Sequence, residues 1–460
     1  MKDDTIKINY AMVPYWELFA RELKTELQQS LEEGKDAEKY RALFEATANL
    51  PDCDEKIRIA DELFKLVYAA PQRADYAYRE PSELEEILAL RKAYPVHGSM
   101  PTDEKLKEKL TGAWFGRICG CLLGIAVEGI RTPELLAFLK ASGNYPMHRY
   151  ILRSDMKEEN LKGIRYPLAS RRLADDIVRM FPDDDTNYTV LYQELIEQRG
   201  IDFEPRHVLA AWTAWQPKNA YCTAERVAYL NYVKGYDAPA SAMFENPYRE
   251  LIGAQIRGDY FGYVHPGDPA AAAAMAFRDA CISHVKNGIY GEMFIAAMLA
   301  LAAVTDNIRD IILGGLAEIP ATSRLYEKIQ SVVSDADNGV TAQDCFDRIH
   351  REYNEFDGHD WCHTISNAMI VTACLLYGGS DYGKSICMAV EQGFDTDCNA
   401  ATVGSILGMK NGIGSIDHVW TDPIHGELAT QIDGLNVVSL ADRVDMTMKH
   451  VQMIREKRQK

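Results

Sequence analysis

Residues 112–124 read GAWFGRICGCLLG, so that glycine recurs at every fourth position. In a helix this spacing places the glycines on one face, and each costs about 1 kcal/mol relative to alanine in a helix interior. A bare backbone face of this kind allows another helix to pack unusually close. The stretch therefore predicts a closely packed helix, and Glu128, four residues beyond the last glycine, is expected where that helix ends and a side chain can enter a pocket.

The sequence on both sides of this stretch has the periodicity of helices. Between positions 15 and 95, apolar residues recur three and four apart, and prolines mark the expected breaks. After residue 104 the chain becomes richer in small and apolar residues, and strand signals are almost absent. We therefore predict an all-α protein with a helical extension over residues 1–104 and one large helical domain over residues 105–460. Helical runs are expected in that domain at 105–124, 187–198, 207–215, 224–233, 269–284, 291–305 and 381–391.

Charge, apolar runs and cysteine content argue against several classes of function. The 460 residues contain 50 Lys and Arg against 68 Asp and Glu, which gives a net charge of −18. Because nucleic-acid binding depends on cationic side chains that neutralise phosphates, no nucleic-acid partner is expected. Apolar runs are too short or too interrupted for a membrane helix of roughly 20 residues, and the N-terminus has no signal core, so neither a membrane span nor export is expected. Ten scattered cysteines without a CxxC pair are typical of reduced thiols in a cytoplasmic protein.

Two further segments place carboxylates where a helix is expected to begin. Residues 181–189 read FPDDDTNYT, and residues 393–400 read GFDTDCNA. Aspartate and threonine cap helices, so an ordinary helix start would explain either segment alone. Carboxylate and hydroxyl oxygens are also the ligands of a hard cation such as Mg²⁺. If the two turns meet, five aspartates share one site, and their repulsion would protonate some of them unless cations, most simply two, are bound.

In their order along the chain, these motifs resemble those of the ADP-ribosylglycohydrolases, over about residues 106–415. The glycine-rich stretch is similar to a family helix that ends in a glutamate, which places Glu128 at that glutamate. Residues 184–186 match the family's Asp-Asp-Thr metal turn, and residues 393–398 match its later Gly-x-Asp-Thr-Asp-Thr turn. Two shorter matches are GAQIR at 253–257 and the Ser-His pair at 283–284.

The resemblance implies a single large orthogonal helical bundle and a hydrolase that cleaves the N- or O-glycosidic bond of ADP-ribose, in an ADP-ribosylated protein or small molecule. It implies one or two Mg²⁺ ions that hold the ribose hydroxyls and orient water, with Glu128 as acid/base or switchable ligand and Asp185 as a second catalytic residue. The implied metal ligands are Asp183, Asp184, Asp185, Asp395, Asp397 and Cys398. The implied substrate-binding residues are Arg257, His284, Asn287, Tyr290 and Gly393.

The chain departs from the family pattern at three positions. Cys121 stands where an aspartate is usual, Asp183 where a threonine ligand is usual, and Cys398 where the final threonine is usual. Because a thiol is a poor ligand for Mg²⁺, we expect one metal position to be weaker, to use water or to prefer a softer ion such as Mn²⁺. The first hundred residues have no recognised counterpart, and they could cover the pocket, dock a partner or add stability.

Structural roles compete with the implied binding roles. Arg257 is expected to pair either with substrate phosphates or with Asp259 or Glu225. His284 is either a satisfied structural residue or part of the site, and Tyr290 either stacks on adenine or belongs to the core. Packing alone is expected of His363 and Asn367.

Two other functions remain open. One is hydrolysis of another small riboside on the same scaffold, because the metal turns recognise ribose hydroxyls and say little about the leaving group. The other is a non-catalytic role in binding or structure, as in the crystallin-like relatives of the family. Glu128 and the full set of aspartates favour catalysis, while Cys121 and Cys398 keep the non-catalytic role open. The sequence leaves the oligomeric state undetermined.

Overall fold

The structure, a computed structural model, describes residues 7–459. It confirms the all-α fold class, since helices account for nearly all regular structure in that range. The only sheet among these residues is an antiparallel pair of strands, β1 (Glu427–Ala429) and β2 (Val437–Ser439), with Leu428 opposite Val438. Within residues 7–459, no helix combines the length and apolar character that a membrane crossing requires.

The helices fall into two groups along the chain. The N-terminal region contains α1 (Leu23–Glu32), α2 (Arg41–Ala48), α3 (Asp54–Ala69) and α4 (Leu84–Ala89). The rest of the chain contains α5 (Asp103–Ile125), α6 (Thr132–Ala141), α7 (Asp184–Arg199), α8 (Pro205–Trp215), α9 (Thr223–Val233), α10 (Ala240–Met243), α11 (Asp259–Tyr263), α12 (Pro269–Ala280), α13 (Asn287–Ala302), α14 (Ile308–Leu316), α15 (Arg324–Asp337), α16 (Ala342–Glu352), α17 (Gly358–Cys362), α18 (Thr364–Tyr377), α19 (Tyr382–Glu391), α20 (Thr396–Asn411), α21 (His418–Thr421) and α22 (Leu440–Gln459).

Each helical run expected from periodicity is a helix in the structure. The largest differences occur at the end of α12, which was expected at residue 284, and at the start of α13, which was expected at residue 291. The chain leaves α12 after Ala280, turns, and enters α13 at Asn287 through Lys286, whose φ is +46°. Periodicity alone missed this boundary because both helices are rich in small apolar residues.

The glycine face of α5 packs against α20 in antiparallel orientation. A methyl group added at Gly116 would lie 2.2 Å from the carbonyl oxygen of Gly404, and one at Gly112 would lie 2.3 Å from that of Gly408. At the other end, a methyl group at Gly124 would lie 2.3 Å from the carbonyl oxygen of Thr396. Contact at these distances is possible only without side chains, so the glycines are required where the two backbones meet. This contact brings the end of α5 beside the start of α20.

The largest hydrophobic core surrounds α13. Every residue of this helix from Asn287 to Ala302 is buried, as expected for a helix that is apolar on all sides. Contacts with α11, α12, α14, α18 and α20 enclose it. The core thus fixes α20 on one side while α5 fixes it on the other.

The N-terminal region has a smaller core of its own and docks on the large domain through buried charges. Glu26 of α1 and Glu33, the residue that follows this helix, accept hydrogen bonds from Arg249 at 2.7 and 2.6 Å. Further along the extension, Glu80 accepts from Arg324 at 2.9 Å. The buried apolar residues of the small core are Leu18, Ala20, Leu23, Leu27, Ala37, Phe44, Ala60, Leu63, Phe64 and Val67.

Candidate active site

The two acidic turns meet in the structure. Asp183 precedes the first turn of α7, and Asp395 precedes the first turn of α20. Ligand atoms of Asp185, Asp397 and Cys398 all lie within 4.8 Å of one another. The five aspartates therefore surround one small region at the start of two helices, where the positive ends of the helix dipoles favour negative charge.

Local structure explains how each turn is held. The Asp183 carboxylate accepts a hydrogen bond from the backbone N–H of Asp185 at 3.0 Å, which caps α7. In the other turn, the backbone N–H of Asp395 donates to Oδ1 of Asn367 at 3.2 Å. Asn367, expected only to pack, thus positions a carboxylate of the site. A polar residue on the apolar helix α18 was the available signal.

Gly393 and Phe394 shape the second turn. Their φ values are +64° and +54°, so two consecutive residues adopt the left-handed conformation. A methyl group at Gly393 would lie 2.8 Å from a carboxylate oxygen of Glu355. Gly393 was expected to bind substrate, whereas the structure places it against Glu355. We therefore assign to it the shaping of the turn that carries Asp395.

Asp185 is completely buried, and Arg117 neutralises it from α5. The Arg117 guanidinium donates to Oδ1 of Asp185 and to Oδ2 of Asp259, both at 2.9 Å. No motif marks Arg117 in the sequence, although a lone charge within the apolar part of the glycine-rich helix is a usable signal. Because Arg117 binds only Oδ1 of Asp185, the other carboxylate oxygen, Oδ2, is left for a different partner.

Two buried carboxylate oxygens at this centre lack a hydrogen-bond donor among the described residues. They are Oδ2 of Asp185 and Oδ1 of Asp397, on side chains that are 0% and 3% exposed. Burying an unpartnered carboxylate oxygen costs several kcal/mol as an order of magnitude, and a bound cation would remove that cost. The donor set therefore fits a divalent cation.

Burial and mutual repulsion also perturb the aspartates. Burial raises the pKa of Asp183 to about 8, with further increases from the charges of Asp184 and Glu128. Burial together with the charges of Glu128 and Asp395 raises the pKa of Asp397 well above its ordinary value. In the absence of a cation, Asp183 would thus be partly protonated at neutral pH.

Glu128 lies just beyond α5, at the rim of the acidic centre. One of its carboxylate oxygens accepts from the Arg171 guanidinium at 3.2 Å, and its side chain is 37% exposed. Burial raises the pKa of Glu128 to about 7, the charges of Asp395 and Asp184 add to the increase, and Arg171 opposes it. The hydroxyl of Tyr166 donates to the backbone carbonyl of Glu128 at 2.5 Å. Neither Arg171 nor Tyr166 is predictable from the sequence, because both lie in a long loop without periodicity.

A family model for the ADP-ribosylglycohydrolases matches residues 102–452, well over half of the chain. The chain belongs to the ADP-ribosylglycohydrolase family. A solved structure described as an "ADP-ribosylglycohydrolase-related protein complex" is similar to this chain at 17% sequence identity and a TM-score of 0.41, and the match covers 76% of this chain and 99% of that chain. No curated protein matches the sequence. Membership identifies the chain as a hydrolase of the glycosidase class.

Arg257 of this ADP-ribosylglycohydrolase lies in a closed internal network. Its side chain is 0% exposed and donates to Asp279 at 2.6 Å and to Glu225 at 2.9 Å. Of the two protein partners considered for it, Glu225 is contacted, whereas Asp259 pairs with Arg117 instead. With its donors occupied by carboxylates, Arg257 is not available for substrate phosphates, so we reassign it to holding α9 and α12 together.

His284 is also removed from solvent. It is 1% exposed, and its Nδ1 lies 2.8 Å from the hydroxyl of Ser283. Burial and the nearby charge of Arg257 lower the pKa of His284 well below its ordinary value. Its Nε2 is buried without a hydrogen-bond partner among the described residues, so a role of His284 in substrate binding stays a prediction.

Asn287 and Tyr290 bind the N-terminal extension. The Asn287 side-chain amide donates to Glu80 at 2.9 Å and to Glu250 at 2.8 Å. The Tyr290 hydroxyl donates to the carbonyl oxygen of Pro81. Both residues were expected to contact substrate, and the structure assigns them to docking instead. Glu128 and the five aspartates remain the candidate site, and the thiols of Cys121 and Cys398 lie beside them.

Proposed function

We propose that the protein is a metal-dependent hydrolase that cleaves the N- or O-glycosidic bond joining ADP-ribose to a protein side chain or a small molecule. One observation carries the proposal: two acidic turns converge on Asp185 and Asp397, each with an unpartnered buried oxygen, beside Glu128. Family membership supplies the bond type.

The residues that would hold cations are Asp183, Asp184, Asp185, Asp395, Asp397 and Cys398. One or two Mg²⁺ or Mn²⁺ ions bound there would supply positive charge for gripping ribose hydroxyls and lowering the pKa of water. We propose Asp185 as a catalytic residue because it would hold the cation, while Arg117 keeps its carboxylate in place.

Glu128 is proposed to transfer the proton that the departing group gains in the reaction. Hydrolysis adds water across the glycosidic bond, so that the hydroxyl joins the anomeric carbon and a proton reaches the departing nitrogen or oxygen. Glu128 lies at the rim of the centre and is partly exposed, which suits a group that exchanges a proton with substrate or water. The contact with Arg171 would orient its carboxylate for that exchange.

The test is release of free ADP-ribose from Arg-linked, Ser-linked and small-molecule conjugates, with and without Mg²⁺ or Mn²⁺. Metal-dependent release that is lost in Asp397→Ala and retained in Asp422→Ala, a change at an exposed aspartate, would support the proposal. Metal binding without release from any conjugate would refute it and favour another riboside as substrate.

A further inference from the structure

Four of the ten cysteines lie against the aspartates of the candidate active site. The Cys121 thiol donates to Asp183 at 3.3 Å, and the Cys362 thiol donates to Asp395 at 3.7 Å. The thiols of Cys222 and Cys398 lie close enough to Asp184 and Asp395, respectively, to lower the pKa of these carboxyl groups, against the larger increase from burial. A site built only for a hard cation would gain nothing from sulfur so close to its carboxylates.

Two of these thiols are placed as ligands. The sulfur of Cys398 groups with carboxylate oxygens of Asp185 and Asp397, and the sulfur of Cys121 groups with those of Asp183 and Asp185, all within 4.8 Å. A borderline ion binds thiolate at about 2.3 Å and carboxylate at about 2.0–2.2 Å, so ligand atoms on opposite sides of it lie up to about 4.5 Å apart. Both groups therefore have the size of a single-cation site.

The buried carboxylate oxygens that lack a hydrogen-bond donor belong to residues of these same two ligand groups. Asp185 belongs to both groups, and its Oδ2, like Oδ1 of Asp397, is buried without a donor among the described residues. The contact between α5 and α20 brings the two thiols to Asp185, because Cys121 follows Gly120, which faces Ala400 one turn beyond Asp397. The close contact between α5 and α20 therefore holds the two thiols near Asp185.

We propose that Cys121 and Cys398 are cation ligands, and that the positions they form with Asp185 prefer a borderline divalent ion such as Co²⁺ or Zn²⁺ over Mg²⁺. This inference rests on the proposed function for the location of the metal centre and goes beyond it in naming the ion class and a new ligand, Cys121. Deprotonated sulfur binds such ions more strongly than a hydroxyl oxygen does, whereas Mg²⁺ gains little from it.

The test uses optical absorption instead of activity. Full-length protein freed of metal by chelation and kept reduced is titrated with Co²⁺, and a sulfur-to-cobalt charge-transfer band is recorded in the near ultraviolet. We expect a band in the wild type that roughly a hundred-fold excess of Mg²⁺ does not remove. Cys121→Ser and Cys398→Thr should each remove part of the band, and the double variant should lose it and let Mg²⁺ displace Co²⁺.

Cys362→Ser is the matched control, because its thiol touches Asp395 but belongs to neither ligand group. Its band should be unchanged, and far-ultraviolet circular dichroism should show that every variant is folded. Absence of a band from wild-type protein that binds Co²⁺ by calorimetry would overturn the inference, as would a full band in the double variant. ADP-ribose release is measured separately: release without a band refutes the ligand assignment alone, whereas a band without release refutes the proposed function alone.

Discussion

The guanidinium group of Arg249 donates to both carboxylate oxygens of Glu26, at 2.7 and 3.0 Å, and neither side chain is more than 2% exposed. Glu26 belongs to the N-terminal extension, and Arg249 belongs to the large domain. Paired donors in this planar geometry are among the stronger ion pairs in proteins. The extension is therefore attached to the large domain by an ion pair that is shielded from water.

Replacing Glu26 with alanine should lower the free energy of unfolding by up to about 3 kcal/mol, because it leaves the buried guanidinium of Arg249 with Glu33 as its remaining carboxylate partner. Asp36→Ala removes an exposed pair with Lys39 in the same extension and should cost less than about 1 kcal/mol. Urea denaturation followed by circular dichroism measures both. Equal effects of the two changes would show that the buried pair does not fasten the extension.

Contacts with the N-terminal extension show which side-chain partners the sequence could not predict. Asn287 and Tyr290 lie at positions where the family resemblance implies substrate contact, yet their hydrogen-bond partners Glu80 and Pro81 lie about 200 residues earlier in the chain. Sequence spacing carries no information about contacts between such distant segments. Arg257 was ambiguous for the same reason, since its carboxylate partners come from separate helices.

Local patterns were more informative. The glycine spacing of α5 predicted a close helix contact, and acidic residues beside threonine predicted the starts of α7 and α20. These features depend on residues within a few turns of one another, so the sequence contains them directly. The sequence predicts each acidic turn separately, whereas only the fold shows that the two turns meet.

Gly404→Ala should destabilise the protein by about 1–3 kcal/mol, because the new methyl group would lie 2.2 Å from the carbonyl oxygen of Gly116. This cost exceeds the helix propensity gained from alanine, which is at most about 1 kcal/mol. At Gly358, also helical, a methyl group meets nothing within 4 Å, so Gly358→Ala should be neutral or slightly stabilising. Thermal unfolding of both variants tests this, and a stabilised Gly404→Ala protein would contradict the close contact.

Acid should destabilise the protein partly through His363. Burial lowers the pKa of His363 from 6.5 to about 4, although the charge of Glu32 opposes that shift. Between these values the unfolded chain binds a proton that the folded chain does not, so this contribution is complete above pH 6.5 and is lost as the pH falls to 4. The loss amounts to about 3 kcal/mol.

His363→Asn should therefore flatten the dependence of unfolding free energy on pH between 6.5 and 4, while asparagine can still cap α18. Denaturant titrations at several pH values provide the slopes. The exposed His418 serves as the control, since His418→Asn should leave the slope as in the wild type. Parallel slopes for His363→Asn and wild type would mean that His363 is not kept neutral by burial.

Glu128→Gln should reduce turnover by roughly 10²–10⁴-fold, because glutamine keeps the shape of the side chain and an oxygen for Arg171 but cannot exchange a proton. Single-turnover release of ADP-ribose measures the chemical step, and calorimetry measures whether ADP-ribose still binds. Glu158→Gln, an exposed change in the loop that carries Arg171, should leave both measurements unchanged. Since the position of Glu128 beyond α5 makes it the protein's proton donor in the proposed reaction, full turnover by Glu128→Gln would require a different acid and would remove that role.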